Sequence, residues 1–120
     1  MLEVERVALE IDGRMEAIVE AVKRSRKSLA DQMERATESL GLNVAEGLGR
    51  TAGRPYHPNI AYASARELRF ALLMAQGRRY IGEEKELMAL MERLLGLIYG
   101  VQRKLTSGGS GARRSPADGR

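Results

Sequence analysis

The sequence predicts an all-α protein, an antiparallel up-down-up-down four-helix bundle. Three observations carry that expectation. Four segments of about 20 residues each repeat apolar side chains at spacings of three and four. The connectors between them are short and marked by Gly and Pro. Leu, Ala, Met, Glu and Arg dominate, while Phe occurs once, Tyr four times and Trp not at all, which favours helix over sheet.

The first helix is expected from Leu2 to Arg24. Val4, Val7, Ala8, Ile11, Met15, Ile18, Val19 and Val22 form one stripe, with charged residues opposite and Gly13 as a local weakness. The second helix begins near Ser28, where Ser28 and Asp31 fit a loose capping box. Its stripe is Leu29, Met33, Ala36, Leu40, Val44 and Leu48, and it ends near Gly47 or Gly49. With Ser25–Lys27 as connector, these two helices are antiparallel neighbours.

Gly49–Asn59, "GRTAGRPYHPN", reads as a loop. The third helix follows from Pro58 or Asn59 to Gln76, because proline is tolerated in a first turn and awkward later. The fourth runs from Glu83 to Leu105 on the stripe Leu87, Met91, Leu94, Ile98, Val101, Leu105. Glu83, Glu84 and Glu86 at its start and Arg103 and Lys104 at its end suit the helix dipole. Residues 1–105 are thus expected to be the bundle. Residues 106–120, rich in Gly and Ser, are expected to be a disordered tail.

With 120 residues, the chain has room for one domain with a modest core. It has no cysteine, so no disulfide or thiolate chemistry, and the expected setting is the reducing cytoplasm. No signal peptide is visible and no apolar run reaches the roughly 20 residues of a membrane span. The formal net charge of +4 is unevenly spread. Residues 1–24 hold six acidic and four basic side chains, whereas residues 55–82 hold Arg66, Arg69, Arg78 and Arg79 against Glu67 alone. Residues 106–120 add three Arg and one Asp.

Two helices are more apolar than a bundle needs. In the third, Ile60, Ala61, Ser64, Leu68, Ala71, Leu72 and Ala75 form one face, yet Ala63, Phe70, Leu73 and Met74 lie on the other. A helix apolar nearly all round is buried nearly all round. In the fourth, Met88, Leu90, Leu95, Leu97 and Tyr99 widen the apolar arc to about 200°. Because the excess clusters on consecutive helices, a homo-oligomer contact is expected there, with Phe70, Leu73, Met74, Leu95 and Tyr99 as its candidates.

The stretch "SLGLNVAEGLGR", Ser39–Arg50, departs from a plain amphipathic helix. Asn43, Glu46 and Arg50 share one side at spacings of three and four. On the next helix Ser64 points into the stripe and Glu67 flanks it. If the two helices are antiparallel, these five residues form a polar network that fixes their register, with Arg50–Glu67 as one contact. Small residues, Gly47, Ala61 and Ala65, would let the helices approach closely. An anion site built on Arg50, Arg54 and the backbone of the Gly-rich loop is the functional alternative.

"LNVAEGLGR" followed by "HPNIAYASARELRFAL" resembles the bacterial four-helix-bundle family of 23S rRNA intervening-sequence proteins. That family reads roughly Asn-Ile-Ala-Glu-Gly-x-Gly-Arg, then Ile-Ala-x-Gly-Ser-Ala-x-Glu on the next helix. The resemblance covers about residues 5–105. It is strong across Asn43–Arg50 and Ile60–Glu67. Ala63 replaces the family's Gly, and Pro58-Asn59 stands where a helical Arg is common. The resemblance implies a four-helix bundle assembled into a ring, often a homopentamer, and no enzymatic activity. A distantly related branch is the accessory protein of diversity-generating retroelements, a basic pentamer that binds nucleic acid and a reverse transcriptase. The helix-four sequence "MERLLGLIYGVQRKL" lacks the Gly-Gly-Trp-like ending of that branch.

No cluster of His, Cys, Asp and Glu has metal-ligand spacing, and His57, the single histidine, has no catalytic companion in the sequence. No cofactor is expected. Two functions remain open. One is an oligomer that binds RNA or DNA through Arg50, Arg54, Arg66, Arg69, Arg78 and Arg79. The other is a structural bundle that recruits a protein partner. Without an aromatic stacking platform, any nucleic-acid contact should read backbone and shape rather than bases.

Overall fold

The computed structural model describes residues 1–48 and 58–110, and side chains in detail over 1–46 and 59–100. Four helices appear in order: α1 (Glu3–Ser25), α2 (Lys27–Leu48), α3 (Pro58–Gly77) and α4 (Lys85–Ser110). There is no strand among the described residues. Each helix packs on the next and α4 returns to α1, which closes a bundle.

Helix α1 starts where the backbone of Leu2 is extended and its amide donates to Glu5 Oε1 at 3.0 Å. That is the reciprocal half of a capping box, made by an acid that also suits the positive end of the helix dipole. Lys23 and Arg24 occupy the last turn. Arg26 alone is the connector, shorter than the expected Ser25–Lys27. Its extended backbone breaks the helix, its amide donates to Val22 O at 2.7 Å, and its carbonyl accepts from the Ala30 amide at 3.1 Å. Helix α2 therefore begins before Ser28. Asp31 is not part of a cap there: Lys27 Nζ donates to its Oδ2 at 3.0 Å.

Pro58 opens α3, in the first-turn position its fixed φ favours. At the other end Gly77 and Gly82 flank the connector, and the residue in the left-handed region is Arg79 (φ 63°), not a glycine. The Arg79 amide donates to Gln76 O at 3.0 Å and the Tyr80 amide to Ala75 O at 2.9 Å. These two bonds are the Schellman pattern, with half-buried Tyr80 packed back on the core. Gln76 also spans the turn, its Oε1 accepting from the Glu84 amide at 2.8 Å. Helix α4 starts at Lys85, two residues later than expected, and its backbone continues to Ser110, five residues beyond Leu105. Residues 111–120 lie outside the described part.

The core is nearly the one the spacing predicts. It holds Val4, Val7, Ala8, Ile11, Met15, Ile18 and Val22 of α1, and Ala30, Met33, Ala36, Leu40 and Val44 of α2. Leu87, Met91, Leu94 and Ile98 come from α4. Helix α3 contributes Leu68 and Leu72 with four alanines, 61, 65, 71 and 75, whose small side chains let neighbours come close. Ile60 is the exception on the expected face: it is 46% exposed at the start of α3.

Cross-helix pairs set direction. Along α1 from Glu3 to Arg14, the α4 partners fall from Arg93 to Glu86. Along α2 from Gln32 to Ser39, the α3 partners fall from Glu67 to Ser64. Both pairs of helices run in opposite directions.

Candidate nucleic-acid interface and assembly face

The α2–α3 seam contains the polar residues that the sequence singles out, at more than one level. Ser64 is buried, and its hydroxyl meets that of Ser39 at 2.9 Å. Asn43 folds back along its own helix, donating from Nδ2 to Ser39 O at 2.7 Å and to Ser39 Oγ at 3.3 Å. Ser39, Asn43 and Ser64 thus make one small cluster. Glu67 belongs elsewhere. It accepts from Gln32, whose own Oε1 accepts from Arg35 at 2.6 Å. Gln32 is 14 residues from Glu46, about 21 Å of helix, so Glu67 is far from Glu46. Glu46 is exposed. Arg50, and with it the expected Arg50–Glu67 contact, lies outside the described residues, as do Arg54, His57 and Gly49.

Gly41 is not required for close helix packing. A Cβ built there would meet nothing within 4 Å. Thr37, the other buried polar side chain among the described residues, satisfies its hydroxyl on Met33 O at 2.7 Å in the preceding turn.

The described arginines fall into two groups. Arg69 is half-buried and pairs with Glu92 across the α3–α4 seam. Arg66, Arg78 and Arg79 are exposed and form no ion pair among the described residues. Arg66 lies on the outer face of α3, while Arg78 and Arg79 project at the end of the bundle where α3 turns into α4. An unpaired guanidinium keeps its donors for phosphate oxygens.

Arg66 shares its face with apolar side chains. Ala63, Arg66, Phe70 and Leu73 recur at spacings of three and four, opposite the buried side of α3. Phe70 is 64% exposed, Leu73 38% and Tyr99 52%, with Met74 and Leu95 half-buried beside them.

The opposite edge of the bundle holds a feature that sequence reading misses. Between α1 and α2 runs an open groove of about 790 Å³. Ala8, Leu9, Leu42 and Ala45 line it, and Glu5, Asp12 and Glu38 border it. Leu9 and Leu42 are both more than half exposed. The available signal was two leucines standing off their helical stripes. Among the described residues no group of three or more His, Cys, Asp or Glu could hold a metal ion, and no helix is long and apolar enough to cross a membrane.

The family model described as 23S rRNA-intervening sequence protein matches residues 2–100. No curated protein and no solved structure matches the chain significantly.

Proposed function

The chain belongs to the 23S rRNA-intervening sequence protein family, and from that premise we propose a non-enzymatic, cytoplasmic homo-oligomer, a ring of five copies, that binds structured RNA through a basic surface. The observation that supports RNA binding most directly is the set of exposed arginines without an ion pair among the described residues, Arg66, Arg78 and Arg79. One subunit offers few phosphate contacts. A ring repeats them, and phosphate binding strengthens with each cation engaged while becoming steeply sensitive to salt. The exposed Phe70, Leu73 and Tyr99 supply apolar surface for assembly. With the exposed Phe70 and Tyr99 assigned to assembly, the contact should read backbone and shape, and duplex DNA should compete with RNA only as far as its backbone shape allows.

The second reading is a bundle that recruits a protein partner without touching nucleic acid. The α1–α2 groove favours it, because its acidic border repels phosphate. Anisotropy of a labelled structured RNA across a salt series, with mass followed by light scattering, separates the two. Binding that weakens steeply with salt, and that falls in Arg78→Ala and Arg79→Ala, is the expected result. An assembled protein indifferent to RNA and DNA at low salt would overturn the RNA reading in favour of the adaptor.

A further inference from the structure

We propose that the α1–α2 groove receives the outer α3–α4 face of a second copy of this chain, so that copies assemble head to tail through two different surfaces. The proposal rests on the oligomeric reading above and specifies which faces meet.

The first argument is position. Helices α1 and α2 pack together, α3 and α4 pack together, and the bundle closes through α2–α3 and α1–α4. The groove and the Phe70–Leu73 face therefore occupy opposite edges of one chain. A two-fold contact of the α3–α4 face with itself would cover one apolar surface and leave Leu9 and Leu42 in water. A head-to-tail contact covers both, on every copy, and closes into a ring when the rotation between copies permits.

The second argument is shape. The groove is open and apolar along its floor, and Gly41 widens it, since a Cβ there would meet open space. Phe70 stands out from α3 with most of its surface exposed. An aromatic anchor in an apolar cleft is the arrangement that concentrates binding energy at interfaces.

The third argument is charge. Helices α1 and α2 together carry ten carboxylates against six cationic side chains. Helix α3 and its closing turn carry Arg66, Arg69, Arg78 and Arg79 against Glu67. Arg66 lies one helical turn from Phe70, placed to meet the carboxylates of Glu5, Asp12 or Glu38 as Phe70 enters; in the assembled form it belongs to this contact, and Arg78 and Arg79 at the end of the bundle remain for RNA. Docking the α3–α4 face onto its own copy would instead bring arginines together.

The test uses Phe70→Glu and Leu42→Lys, at positions 64% and 65% exposed, with circular dichroism confirming that each variant stays helical. By light scattering the wild type should assemble and each variant alone should be a monomer. An equimolar mixture should give a species of two chains and stop there, because one variant keeps its groove and the other keeps its α3–α4 face. A Leu42→Lys protein that assembles like the wild type, or a mixture that stays monomeric, overturns the groove assignment while leaving oligomerisation intact. A wild type that is monomeric at every concentration overturns the oligomeric reading itself.

Discussion

The hydroxyls of Ser39 and Ser64 meet at 2.9 Å across the α2–α3 seam, the one at the edge of the core and the other buried in it. Their surroundings are unequal. Ser39 also accepts from Asn43, whereas Ser64 depends on Ser39. Ser39→Ala should therefore destabilise more than Ser64→Ala, by about 1–2 kcal/mol against about 0.5–1 kcal/mol, because it strands a buried hydroxyl. Urea melts of the two single variants and the double variant would measure the coupling. A coupling near zero would show that the hydroxyls are satisfied independently.

Arg79 holds a left-handed backbone, a conformation that costs a side-chain-bearing residue about 1–2 kcal/mol. Glycine relieves that strain but gives back about 0.4–1 kcal/mol through its freer unfolded chain. Arg79→Gly should thus raise stability modestly, by up to about 1.5 kcal/mol. Arg79→Val should lower it, since a β-branched side chain tolerates positive φ worst. If Arg79 also serves RNA, the stabilised Arg79→Gly protein binds less tightly, separating the two roles in one variant. A glycine variant less stable than the wild type would show that the strain is smaller than the entropy that glycine adds to the unfolded chain.

The four helices were legible because each buries one continuous stripe, and period alone marks it. Register was not. Spacing tells which side of a helix Glu67 occupies, but only the packing of α3 on α2 decides that it meets Gln32 rather than a residue near Glu46. Helix ends were half legible. Pro58 marked its own helix start, but the left-handed role went to Arg79 although Gly77 and Gly82 stood nearby. The exposed face at Phe70 and Leu73 was visible as an apolar surplus on α3. The groove was not, because Leu9 and Leu42 become a surface only when α1 and α2 lie side by side.

Asp31 offers a check on local electrostatics. The hydrogen bond from Lys27 lowers its carboxyl pKa from the ordinary value, outweighing an opposing desolvation effect, and the charges of Lys27, Arg35 and Lys23 add to the lowering. A depressed folded-state pKa contributes stability above the unfolded value and loses it as pH falls through the folded one. The advantage of wild type over Lys27→Met should therefore be present at neutral pH and fade below about pH 4. Carboxyl-carbon NMR should show Asp31 titrating at higher pH in Lys27→Met than in wild type. Identical midpoints would mean that the pair does not persist in solution.

Gly41 and Gly96 make a matched comparison. Both stand inside helices, and a Cβ at either would meet nothing within 4 Å. On helix propensity alone, alanine at each should stabilise the fold by about 1 kcal/mol. They differ in what they border. Gly41 lines the α1–α2 groove, while Gly96 is an exposed position of α4 outside it. If the groove seats Phe70 of a second copy, a methyl group at Gly41 narrows the seat. Gly41→Ala should then melt higher as a monomer yet assemble less well, whereas Gly96→Ala should melt higher and assemble as the wild type does. Thermal melts at low protein concentration read the first effect, and light scattering along a dilution series reads the second. Equal assembly of the two variants would argue that Gly41 borders no interface.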